Sequence, residues 1–173
     1  MFAFLLALVS CNQIEKEQTL IDPSWHKLTL SNGWTIYAPP DFISKSEQGI
    51  DSNPGIIYSK KDSIFLQYDS GPFESYNSHC DLQSHFEDAQ ASIDTGFYKT
   101  FYKVPVIHKA EIDTIDNRIA VILRPSKTGE GTVGIEISGC KHLSWIGITG
   151  KNLKGEKEKL VVKIYKTLKK TSK

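Results

Sequence analysis

The β-forming runs of this chain are separated by links too short for anything but a hairpin, and that spacing constrains its fold more than any other feature. Leu28-Thr29-Leu30 and Trp34-Thr-Ile-Tyr-Ala38 flank Ser31-Asn32-Gly33. An Asn-Gly pair between apolar runs marks a tight turn with positive φ at both central residues. Ile56–Ser59 and Ser63–Tyr68 flank Lys60-Lys61-Asp62. Val106–Asp113 and Arg118–Arg124 are joined across Asp116-Asn117, Thr132–Ser138 follows across Pro125 to Gly131, and His142–Thr149 is one more run. Parallel neighbours need a crossover of about a dozen residues or more, so links this short predict antiparallel pairing.

Two helical patterns interrupt the runs. Leu82, Phe86, Ala89 and Ile93 recur at i, i+4, i+7 and i+11, with Asp81 or Ser78 to cap the start and Gly96 to stop it. From Glu156 to Lys170, Leu160, Val161, Ile164, Tyr165 and Leu168 share one face, and Lys157, Lys163, Lys166 and Lys170 surround the other. Gly49 to Gly55 is dense in turn residues and reads as a loop, and Asp69-Ser-Gly-Pro72 is expected to close the second hairpin. The expected fold is α+β: a largely antiparallel sheet with an internal helix and a C-terminal amphipathic helix packed on it.

At 173 residues with 39% hydrophobic and 24% charged side chains, this is the composition of one soluble globular domain. A net charge of +1 argues against a dedicated nucleic-acid binder. Phe2 to Val9 are eight consecutive apolar residues, too few to span a bilayer but matching a signal-peptide core. Leu8-Val9-Ser10-Cys11 resembles a bacterial lipobox, in which the cysteine is lipidated and becomes the first mature residue, although no Lys or Arg precedes the apolar run. The expected organisation is a lipoprotein signal peptide over 1–10, a polar tether over 11–24 and a single α+β domain over 25–173. A lipobox cysteine carries several acyl chains, which is what stable anchoring requires. Asn12, in place of the Asp typical of inner-membrane retention, favours the outer membrane of a Gram-negative envelope.

With Cys11 lipidated, Cys80 and Cys140 remain, an even pair in an oxidising compartment. They are either a disulfide closing a loop of 60 residues (140 − 80) or two buried thiols acting as small hydrophobes.

The segment Trp34-Thr-Ile-Tyr-Ala-Pro-Pro-Asp-Phe42 is similar to the opening of PsbP-like domains, an aromatic strand followed by proline and then an aromatic. Bacterial lipoproteins of the DcrB type share that opening. The closing helix, with Leu160-Val-Val-Lys-Ile-Tyr-Lys-Thr-Leu-Lys169, resembles theirs too, and the order of elements is similar over most of 28–170. The resemblance implies an α/β/α sandwich and an accessory role in envelope or membrane assemblies, and it carries over no catalytic residue.

Motifs with chemical meaning fail on context. Gly129-Glu-Gly-Thr-Val-Gly134 satisfies G-x-G-x-x-G, but a strand pattern follows where dinucleotide binding needs a helix, so no cofactor is expected. Asp69-Ser-Gly71 and Asp94-Thr-Gly96 match the turn of aspartic proteases, whose two carboxylates share a proton about 3 Å apart. Asp94 ends a predicted helix, so two ordinary turns explain the pair better. His79 and His85 sit six apart, on different helix faces, and Asp51-Ser-Asn-Pro-Gly55 lacks the closing Glu of a calcium loop, so no metal site is expected. Phe97, Tyr98, Phe101 and Tyr102 lie within seven residues that also hold Lys99 and Lys103, either an ordinary covered strand or a strand with one face exposed for recognition. From Lys151 to Lys173 there are nine Lys against two Glu, +7, which leaves −6 for the rest. Such a helix is either a solvated outer face or a surface for anionic lipid.

The expected function is a non-catalytic accessory or binding role near the membrane. The partners would be the membrane, through the lipid anchor, and an envelope protein or small ligand, with no nucleic acid. The alternative is an aspartic-protease-like envelope hydrolase using the Asp69 and Asp94 turns.

Overall fold

Strict alternation of side chains sets the layout of the sheets. In β5 (Ile64–Gly71), Ile64, Leu66 and Tyr68 are buried while Phe65 and Gln67 are exposed, the two-residue period of a strand with one face on a core. The computed structural model describes residues 21–71, 108–137 and 145–171. Within them β5 joins β3 (Phe42–Ser46), β4 (Gly55–Ser59), β6 (His108–Ile115), β7 (Arg118–Pro125), β8 (Thr132–Ile137) and β9 (Trp145–Lys151) in one antiparallel sheet. Its order is β3-β4-β5-β9-β8-β7-β6. Two meanders, β3-β4-β5 and β6-β7-β8-β9, are therefore fused where β5 pairs with β9, from Leu66 opposite Gly150 to Gly71 opposite Trp145.

A second antiparallel sheet has the order β1-β2-β10, from β1 (His26–Thr29), β2 (Trp34–Ala38) and β10 (Lys169–Lys170). Together with the helix α1 (Glu156–Tyr165) it supplies the other half of the core. Trp34, Ile36 and Ala38 of β2 and Val161, Ile164 and Tyr165 of α1 are fully buried in one cluster with Leu66, Ile135 and Ile148 of the large sheet. Each such aliphatic side chain contributes roughly 1.5–3 kcal/mol of transfer free energy.

The fold is mostly β, which corrects the expected α+β architecture and the α/β/α sandwich that the resemblance implied. Of the described residues 54% are strand and 12% helical, with α1 as their one α-helix. The expected internal helix over 82–93 lies outside the described residues. The C-terminal helix was expected to reach Lys170 but ends at Tyr165, and Lys169 and Lys170 instead pair with Thr35 and Trp34. Thr167 explains the change. Its hydroxyl accepts the Tyr37 N–H at 2.8 Å and lies within donating distance of the carbonyl oxygens of Ile164 (2.7 Å) and Tyr37 (3.1 Å). These bonds turn the chain off the helix and onto β2.

The short hairpins follow the turn chemistry. Asn32 and Gly33 have φ of 55° and 71°, and Thr29 faces Thr35 across them. Asp116 and Asn117 have φ of 54° and 56°, and Ile115 faces Arg118. Three boundaries differ from expectation. Phe42–Ser46 is a strand, Asp69–Gly71 continue β5 instead of closing it, and β9 runs on to Lys151. In each case a neighbouring strand is present to take up the backbone hydrogen bonds.

Candidate functional site

The inner face of the large sheet changes character at the β6–β7 margin. Along β7 the inward positions are Arg118, Ala120, Ile122 and Arg124, and opposite the middle two on β6 stand Asp113 and Glu111. Arg124 reaches Glu111 at 3.3 Å. Lys166, in the turn after α1, reaches Asp113 at 2.6 Å, with both side chains about one-third exposed (35% and 34%). Asp116 accepts the backbone N–H of Lys170 at 2.8 Å, which ties β10 to the β6–β7 turn. Trp34, with no exposed surface, has the Arg118 guanidinium 5.2 Å from its ring centroid and the Lys170 ammonium at 5.6 Å. Cation–π contacts of this kind contribute about 0.5–2 kcal/mol. The charges are thus engaged in docking α1 and β10 onto the sheet.

Beside them lies a cavity of about 50 Å³ lined by Thr114, Ile115, Asp116, Thr167, Leu168 and the incoming Ile21. It is far below the roughly 300 Å³ of a small-molecule site. Residues 22–25 close a turn there, with Trp25 N–H donating to the Asp22 carbonyl oxygen at 2.9 Å and the Trp25 side chain packed on the core. Two hydrogen bonds from Ser24 hold the Asp22 carboxyl below its usual value, and the nearby Lys163 charge acts in the same direction.

Asp69 is a structural tie. Its Oδ2 accepts the Ser52 hydroxyl at 2.9 Å and its Oδ1 the Ser70 N–H at 2.8 Å, and the Asn53 N–H donates to the Ser70 carbonyl oxygen at 2.8 Å. The carboxylate therefore fastens the loop before β4 to β5. Ser52 and Asn53, from the calcium-loop lookalike, belong to the same fastening. Of the three glycine-motif positions, Gly129 and Gly131 lie in the β7–β8 link with φ of 86° and 108°, and Gly134 lies inside β8. Among the described residues, no three His, Cys, Asp or Glu side chains gather into a group that could hold a metal ion. Cys11, Cys80, Asp94, Phe97, Tyr98, Phe101, Tyr102 and Cys140, and with them His79, His85 and His142, lie outside the described residues.

Two surfaces escaped the sequence reading in whole or in part. On the outer face of the large sheet, Ile43, Tyr58 and Phe65 stand opposite one another on β3, β4 and β5. Ile43 is 48% exposed and Phe65 51%. Their apolar alternation was visible, but which side of the sheet α1 would cover was not. The other surface is α1 itself. Lys154, Lys157 and Lys163, on it or in the loop before it, are exposed and form no ion pair among the described residues, whereas Lys159 bridges Glu156 at 2.8 Å. The Asp113–Lys166 pair had no local signal, since 53 residues separate the partners.

No protein-family model, no curated protein and no solved structure matches this chain.

Proposed function

We propose that this chain is an envelope lipoprotein, anchored through Cys11, whose domain has a non-catalytic accessory role and holds a partner protein near the outer membrane. The lipobox-like run ending at Cys11 supports the anchor, and Asn12 supports the outer membrane. The observation that carries the binding role is the row Ile43–Tyr58–Phe65, two of whose members keep about half their surface exposed. Adjacent exposed apolar side chains, unlike scattered ones, mark contact surfaces. The row lies on the face of the large sheet away from α1, while Ile21 meets the domain on the α1 side. The chain therefore enters the domain on the side opposite the contact row. Phe97, Tyr98, Phe101 and Tyr102 are proposed, from the sequence alone, as further partner contacts.

The test is capture from cross-linked envelopes with the wild-type chain and with Ile43→Ser/Phe65→Ser. The double variant should melt like wild type and lose the captured protein. Recovery of the same protein at the same yield overturns the role of the row. Cys11→Ala should move the chain from the membrane fraction to the soluble one; unchanged partitioning overturns the anchor.

A further inference from the structure

We infer that the outward face of α1 and the loop before it form a docking surface for the headgroups of an anionic phospholipid bilayer. The inference deepens the lipoprotein reading above and rests on it for orientation. Three observations lead to it.

The first is where the chain joins the domain. Ile21 packs beside Lys166–Lys169, and Asp22 lies within the influence of the Lys163 charge. Ile21 is ten Cα–Cα steps (21 − 11) after Cys11, so even fully extended the link spans at most roughly 35 Å. A domain of this size is about as wide as that. A short tether joined next to α1 therefore keeps the α1 side toward the bilayer and the outer face of the large sheet away from it.

The second is the charge on that side. α1 buries Val161, Val162, Ile164 and Tyr165 against the core, which turns Lys159 and Lys163 outward. Lys154, in the loop before the helix, and Lys157, in its first turn, precede them, whereas Lys151 ends β9 on the outer face of the large sheet. Acidic neighbours are Glu156, neutralised by Lys159, Glu158, which is half-buried, and Asp22, whose carboxyl the Lys163 charge influences. A cationic surplus remains. The third is that the exposed lysines of this surface take no part in packing the core. Lys166 is excluded from it, because Asp113 holds it.

The test is acetylation footprinting of the full chain on vesicles, read lysine by lysine by mass spectrometry. At low ionic strength Lys154, Lys157 and Lys163 should react about five-fold more slowly on phosphatidylglycerol-containing vesicles than on phosphatidylcholine alone. Lys45, on the opposite face of the large sheet, should react at one rate on both. Equal rates for the three lysines on the two vesicles overturn the proposal, and so does the same slowing with inorganic phosphate in place of vesicles. Footprinting Cys11→Ala separates this inference from the anchor. Slowed reaction of the three lysines in that variant supports the lipid surface even if fractionation shows that Cys11 anchors nothing.

Discussion

The phenol of Tyr165 donates to the backbone carbonyl oxygen of Val133 at 3.1 Å, with no part of the tyrosine exposed. Helix α1 is thereby pinned to the middle of the large sheet by a polar contact inside an apolar layer. Burial pushes the phenol well above its ordinary value, so it remains a donor across the working pH range.

Tyr165→Phe keeps the packing and removes only the donor. It should lower the unfolding free energy by about 1 kcal/mol, whereas Tyr165→Ala should lower it by about 3–5 kcal/mol through the cavity it leaves. Chemical denaturation of the three proteins measures both. Equal stability of wild type and Tyr165→Phe would show that the bond contributes nothing net.

Gly55 faces the ring of Tyr68 so closely that a Cβ would overlap the phenol and come within 2.6 Å of the Lys45 carbonyl oxygen. The phenol cannot swing away freely, because it is hydrogen-bonded to Ser46 at 3.0 Å and to Ser31 at 3.4 Å. Gly55→Ala should therefore cost about 1–3 kcal/mol as an overpacked site. A thermal shift below 1 °C in calorimetry would contradict the close approach.

The buried Ser59 hydroxyl donates to Asp41 and accepts the Asp62 N–H at 2.9 Å, joining the β2–β3 link to the β4–β5 turn. The Ser59 bond is the main cause holding the Asp41 carboxyl below its ordinary 3.8. A carboxyl lowered on folding stabilises the native state above its unfolded value, and that stabilisation disappears as pH falls through the folded value. Wild type should accordingly lose more stability than Asp41→Asn between about pH 5 and pH 2. Parallel pH–stability curves for the two proteins would remove Asp41 from the account.

For Cys80 and Cys140 the proposal is a disulfide. A bridge closing 60 residues (140 − 80) would stabilise by roughly 4 kcal/mol in the chain-entropy picture. The mature protein should then migrate faster on non-reducing than on reducing gels. Two thiols that alkylate freely in the native protein would rule the bridge out.

Hairpins were legible in the sequence because their determinants are local. Asn32-Gly33 and Asp116-Asn117 accept positive φ at low strain, and the two-residue alternation beside them fixes which side chains share a face. The lysine bias of the last segment and the apolar stripe of α1 were legible for the same reason. Nothing local foretold that β5 would pair with β9, that Lys169 and Lys170 would form a strand on β2, or that Lys166 would meet Asp113. Helix propensity in Tyr165-Lys166-Thr167-Leu168 amounts to a few tenths of a kcal/mol per residue. The hydroxyl bonds of Thr167 to β2 and the burial of Leu168 outweigh it. Turn dihedrals and side-chain period belong to neighbouring residues, so the sequence alone determined the hairpins. The layer that covers them was decided by contacts between residues far apart in the chain, whose free energies exist only once the sheets have met.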